Sequence, residues 1–190
     1  NDTKIKYIIK KLKKFKIKSF QVSVGHDFQK WRKAGVHKNS YFSDTKMGGG
    51  VIFELVHEIN LINLLFGKIK KISTIKSNSK DFNCEDVAIS IVETENNIIG
   101  SLYQDMFSKT FFRSIRIVTN KKFFEIDLVK NLIIENNRIK NFKNINKQTD
   151  LLRKNILLFK RRIAKKDHSL DDYDIALFDL DTCIKMHNAK

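Results

Sequence analysis

The 190 residues contain no proline, and glycine (7) and cysteine (2) are both scarce. Proline ordinarily makes up about 5% of a chain, so no helix end or turn here is set by that residue. Cys84 and Cys183 are too few to staple a secreted scaffold, and a reducing, cytoplasmic location is the expectation. The five histidines and two cysteines show no metal-ligand spacing, so no metal is assigned. Long apolar runs are missing as well. The most apolar stretch, Val51 to Phe66, is interrupted by Glu54, His57, Glu58, Asn60 and Asn63. Nothing approaches the ~18–20 apolar residues that span a bilayer. The lysine-rich N-terminus lacks the apolar core and small residues of a secretory signal.

Acidic residues are outnumbered, 21 against 37 basic, giving a net charge of +16. Only seven of the 37 are arginine. A basic chain can bind phosphate backbones or anionic surfaces. A compositional drift toward lysine, isoleucine and asparagine gives the same total with no such role. The size, 22.3 kDa with 42% hydrophobic residues, suits one folded domain.

Residues 3–16 carry Ile5, Ile8, Ile9, Leu12 and Phe15 at helical spacing among lysines, which predicts an amphipathic helix with a basic face. That face reads either as a surface for nucleic acid or membrane, or as ordinary solvated lysine. Residues 17–26 alternate as a strand. A long polar segment follows from His26 to Met47, with Trp31, Arg32 and Tyr41 within it. A helix is predicted over about 50–66, closed by Gly67. Six β-like runs come next, over 69–77, 87–94, 98–107, 111–119, 123–128 and 132–135. Asn96-Asn97, Asn120-Lys121 and Asn136-Asn137 are turn candidates between them. Two apolar stripes end the chain, Leu151, Leu152, Ile156, Phe159 and Ile163, then Ile175, Phe178, Leu180, Cys183 and Ile184. Successive strands with short turns predict an α+β domain with a mostly antiparallel sheet and helices on one face, over residues 1–190.

The helix after Gly48-Gly49-Gly50 is apolar on both sides. Ile52, Leu55, Ile59, Ile62 and Phe66 form one face, and Phe53, His57, Leu61 and Leu64 lie opposite. Such a helix is buried on both sides. The sheet covers one, and a second domain or subunit is expected on the other, with His57 facing it. His57 reads either as an ordinary satisfied histidine or as a general acid/base, with Glu54 and Asn60 one turn to either side. The glycines read either as a joint or as a close approach of backbone to a ligand. Phe53 stands where a dinucleotide fingerprint needs its third glycine, and no Walker pattern occurs. The chain is therefore expected to hold no nucleotide-binding domain.

The block from Gly48 to Gly67, GGGVIFELVHEINLINLLFG, resembles the signature G-G-G-V-L-x-E-L-S-H-E-I-D-x-x-x-x-L-F-G of the C-terminal domain of Gfo/Idh/MocA oxidoreductases. Glu85-Asp86-Val87-Ala88 is similar to the family's E-D-x-A start of the next strand, and the resemblance covers nearly the whole chain. It implies a two-domain enzyme whose Rossmann domain binds NAD or NADP and carries a catalytic lysine, and whose α+β domain closes over a sugar-like substrate. That Rossmann domain is absent from this sequence, and the expectation is a fragment of such an enzyme. It also implies homodimerisation through the open face of the sheet.

By the resemblance, His57 matches the histidine that faces the substrate and assists proton transfer. Trp31, Arg32 and Tyr41 match the substrate loop, and Gly48, Gly49, Gly50, Phe53, Glu54 and Asn60 match substrate-side positions. Phe53 replaces an aspartate found in many members, Asn60 replaces the aspartate after H-E-I, and Val56 replaces a serine. The E-L-x-H-E-I subgroup resembles enzymes that make surface-polysaccharide sugars. The rival readings are a basic module for nucleic acid or an acidic partner, and a catalytically inactive scaffold relative. Neither nucleic acid nor membrane is an expected partner.

Overall fold

A computed structural model describes residues 3–31, 40–78, 82–141, 148–165 and 171–189. Among these residues eight strands form one sheet: β1 (Ile17–Gly25), β2 (Ile69–Ser77), β3 (Val87–Thr94), β4 (Ile99–Asp105), β5 (Phe112–Thr119), β6 (Phe123–Asp127), β7 (Leu132–Glu135) and β8 (Arg138–Asn141). Their order across the sheet is β2-β3-β4-β1-β5-β6-β7-β8. Every pairing is antiparallel except β1 with β4, where Phe20 lies opposite Gly100 and Val24 opposite Gln104. The expected α+β class with a mostly antiparallel sheet is the observed one. β8 was not expected from the sequence. Its hairpin turns at Asn136 and Asn137, both left-handed at φ 45° and 69°, a conformation asparagine tolerates better than most residues.

Among the described residues six helices accompany the sheet: α1 (Thr3–Leu12), α2 (Phe28–Trp31), α3 (Val51–Glu54), α4 (His57–Phe66), α5 (Gln148–Ala164) and α6 (Asp171–His187). Helix α1 ends earlier than expected, at Leu12. Ile8 and Leu12 are buried, Lys6 and Lys10 are exposed, and the half-buried Lys11 Nζ donates to Glu135 Oε2 at 2.7 Å. The apolar face of α1 is thus spent on the domain's own core.

The helix expected over 50–66 is two helices, bent by 42° between Glu54 and His57. Around the bend the chain tightens to i−3 bonds, Glu58 to Leu55 and Ile59 to Val56. The carbonyl of Leu55 also accepts from Gln104 Nε2 of β4 at 3.3 Å. A sheet side chain therefore engages a helix carbonyl at the kink, an identifiable cause of bending. Helix α4 seats on β1 through Phe66, whose ring stacks on Phe20 at 4.0 Å and 2°. Gly100 makes room for that stack, since a Cβ there would lie 2.3 Å from the Phe20 ring.

The expected cover on the second side of this helix comes in part from the chain itself. Helix α6 packs on α3, α4 and β2, with Cys183 and Met186 fully buried. Phe53 meets the His187 ring at 5.5 Å and Leu61 is buried, whereas Leu64 and His57 remain exposed. The expectation that a second domain or subunit must cover this whole face is corrected to that extent. The reason is that the chain's last helix returns over it, a long-range packing that periodicity cannot indicate.

No described helix is by itself long and apolar enough to cross a membrane. The opposite face of the sheet is open and carries Ile75, Ile89, Ile91, Ile99 and Val118, all exposed.

Candidate functional site

The glycine turn is built by the protein's own backbone. Tyr41–Ser43 and Thr45–Met47 form two short 3-10 turns, and Asp44 caps the second by accepting from the Lys46 amide at 2.9 Å. The amides of Gly48, Gly49, Gly50 and Val51 donate to the carbonyls of Thr45, Asp44, Phe42 and Glu85. A Cβ on Gly49 would lie 2.2 Å from the Tyr41 carbonyl. A Cβ on Gly50, at φ +121°, would lie 2.3 Å from Glu85 Oε1. Close approach does explain these glycines, but it is approach to the chain's own backbone and to a carboxylate. With its amides used internally and Glu85 beside it, the turn offers no phosphate cradle. Gly48, at φ +81°, faces open space.

No residue set described here fits a dinucleotide. The sheet has no doubly wound β-α-β unit and the glycine turn is closed to phosphate. No group of three or more potential metal ligands occurs among the described residues.

Beyond the turn, His57 opens α4 immediately after the kink and is exposed. It lines an open groove of about 840 Å³ between α4 and α6, together with Val56, Asn60, Leu64, Lys68 and Phe178. The structure therefore brings His57 and Asn60 to one cavity. Asn60 is occupied within it: its amide donates to Asp179 Oδ2 of α6 at 2.7 Å, and Asn63 donates to Asp179 Oδ1 at 2.6 Å. Asn63 Oδ1 in turn accepts from the Ile69 amide at 3.0 Å. Phe53 and Glu54 sit on α3, on the other side of the kink, and Tyr41 is exposed beside the glycine turn. Trp31 ends α2; its side chain and Arg32 lie outside the described residues.

Two partly buried side-chain contacts support this region and were not singled out from the sequence. Glu58, next to His57 and almost wholly buried, meets Arg113 Nε of β5 at 2.7 Å. Burial pushes the Glu58 carboxyl above the usual carboxylate range, and the nearby guanidinium opposes that shift. Glu85 meets His187 Nδ1 at 3.2 Å, so the end of α6 is tied to the glycine turn. The adjacency of His57 and Glu58 was visible in the sequence; their partners, on a distant strand and the last helix, were not.

The family model for the GFO/IDH/MocA C-terminal domain matches residues 6–125. The chain belongs to this family. No curated protein matches it by sequence. Solved structures share the fold at low identity. An oxidoreductase from Thermotoga maritima superposes with a TM-score of 0.79 at 16% identity, covering 99% of this chain and 57% of that one. A levoglucosan dehydrogenase in complex with NADH and levoglucosan gives 0.76 at 14%, covering 96% and 60%. The UDP-N-acetylglucosamine 3-dehydrogenase GnnA from Acidithiobacillus ferrooxidans gives 0.71 at 15%, covering 98% and 59%. This Gfo/Idh/MocA domain thus spans less than two thirds of the length of these relatives.

Proposed function

We propose that this Gfo/Idh/MocA domain forms the substrate-binding and oligomerisation half of an NAD(P)-dependent oxidoreductase acting on a sugar, cyclitol or nucleotide sugar. The observation that carries the reading is His57, placed exposed at the kink between α3 and α4 and opening onto an 840 Å³ groove. Similarity to dehydrogenases of sugars and nucleotide sugars supports the substrate class. Surface-polysaccharide sugar synthesis in the cytoplasm is the setting we favour, on the E-L-x-H-E-I pattern and the two unpaired cysteines.

In this reading the nicotinamide supplies or takes up the hydride and is held by a separate dinucleotide domain, because the described residues do not fit it. His57 moves the proton of the reacting hydroxyl. The Glu58–Arg113 pair anchors the first turn of α4 in the sheet and so fixes the direction in which His57 points. Tyr41, Trp31 and Arg32 contribute the substrate loop, and Gly48, with open space beside it, admits the sugar near the turn. The apolar open face of the sheet pairs with a second copy.

The test uses the whole protein that contains this domain, with nicotinamide absorbance followed against a panel of sugars, cyclitols and nucleotide sugars. His57→Ala should lower kcat by ~100-fold or more with little change in melting temperature. Unchanged turnover would remove His57 from the chemistry. Failure of every substrate class to reduce or oxidise the nicotinamide would favour the scaffold reading.

A further inference from the structure

Helices α5 and α6 are each 17 residues long, about 25 Å. Among the described residues helix α5 packs extensively on no other element, and its stripe Leu152, Ile156, Phe159 and Ile163 is 49–65% exposed. Helix α6 buries one side, through Asp179, Thr182, Cys183 and Met186. On its other side Tyr173, Leu177, Leu180 and Ile184 form a second stripe, 43–58% exposed. Both stripes advance by four, three and four residues, the spacing of a coiled-coil seam.

The stripes mirror one another about position 168. Ile163 corresponds to Tyr173, Phe159 to Leu177, Ile156 to Leu180 and Leu152 to Ile184. That is the register of two antiparallel helices whose seam positions meet layer by layer. The flanking charges agree. Arg153 and Lys160 each directly follow a seam residue on α5, and Asp174 and Asp181 do so on α6. In an antiparallel pair these positions lie on the same edge of the seam, where opposite charges favour one partner and one orientation. Antiparallel packing also opposes the two helix dipoles. Only six residues separate the helices, a length typical of helix–helix connections.

We propose that α5 closes onto the exposed stripe of α6 in its own chain, forming an antiparallel helical hairpin on the outer side of α6. The short connection makes the pairing intramolecular, with a high effective concentration for the chain's own helix over that of a second copy. The inference does not rest on the oxidoreductase reading, although Leu180 also lines the groove beside His57.

The test is a cysteine pair in the 190-residue chain, Ile156→Cys with Leu180→Cys, oxidised mildly and run on a non-reducing gel with peptide mapping. Both positions are exposed, and the two native cysteines are buried with thiols pushed up to about 12, so they do not compete. A disulfide within the monomer is expected, because facing seam positions bring Cα atoms within the ~4.4–6.8 Å a disulfide needs. A control pair, Leu157→Cys with Leu180→Cys, places one thiol on the far side of α5 and should not bridge. Reversing Arg153 and Lys160 to aspartate should cut the yield several-fold, and adding Asp174→Lys and Asp181→Lys should restore it. No disulfide in the facing pair, equal bridging in the control, or a covalent dimer would each overturn the proposal; the dimer would assign the stripe to a second copy.

Discussion

The amide of Asn60 donates to the carboxylate of Asp179 across 119 positions of sequence, tying α4 to α6 at 2.7 Å. Asparagine at position 60 is a departure from the family signature, and the contact gives it a physical reason. An aspartate there would set two carboxylates against each other on the wall of a partly apolar groove, and one would be forced toward protonation.

Asn60→Asp should accordingly destabilise the domain by about 1–3 kcal/mol in urea unfolding near neutral pH. Asp179→Asn should recover much of that loss in the Asn60→Asp background, because it restores one donor and one acceptor. Strictly additive effects of the two substitutions would mean that the contact does not couple the helices.

Gly48 and Gly50 should differ in their tolerance to alanine. At Gly50 a Cβ meets both a left-handed φ and the buried Glu85 carboxylate, and a loss of roughly 2–4 kcal/mol is expected. At Gly48 only the backbone is strained, and roughly 1 kcal/mol is expected. Thermal melts of the two single variants compare them directly; equal losses would contradict the packing described here.

Glu58 makes stability depend on pH in a defined sense. Its folded carboxyl lies above its ordinary value, chiefly through burial. A carboxyl raised on folding favours the folded state while protonated, and that contribution is lost as pH rises through the folded value. Arg113 limits the loss by pairing with the ionised form. Arg113→Met leaves the charge buried alone and should cost about 3–5 kcal/mol near pH 7, and distinctly less near pH 5. A cost independent of pH would show that Arg113 acts through packing alone.

The open sheet face offers a direct test of self-association. Ile89 and Ile91 of β3 project from it, with Ile75 and Ile99 on the neighbouring strands. For the dimer proposed above, Ile89→Asp with Ile91→Asp should yield a monomer in sedimentation while leaving the melting temperature of the monomer close to that of the parent. A dimer that survives both charges would place the interface elsewhere.

Much of the sheet was legible because alternation is a local property. The runs over 69–77 and 87–94 match β2 and β3 to the residue, and asparagine pairs mark the β3–β4 and β7–β8 turns. β8 was not recognised because its four residues are all exposed and show no apolar alternation. The kink at Leu55 was hidden for a different reason. Val51–Phe66 has continuous helical periodicity, and the bend accompanies Gln104, a residue far along the chain. Of the candidate site, the block around His57 could be quoted from the sequence, yet the groove could not, since its second wall is α6.

The sequence by itself determined seven of the eight described strands, the glycine-to-glycine block and the family to which the chain belongs, because these rest on side-chain period and on short-range spacing. Only the tertiary structure decided that β1 inserts between β4 and β5, parallel to one and antiparallel to the other. It alone decided that Glu85 fills the space a Cβ would need at Gly50, and that Asn60 answers Asp179 rather than solvent. Those outcomes depend on which distant groups must be desolvated together. A buried polar group takes the nearest available partner, and that partner is set by packing, not by position along the chain.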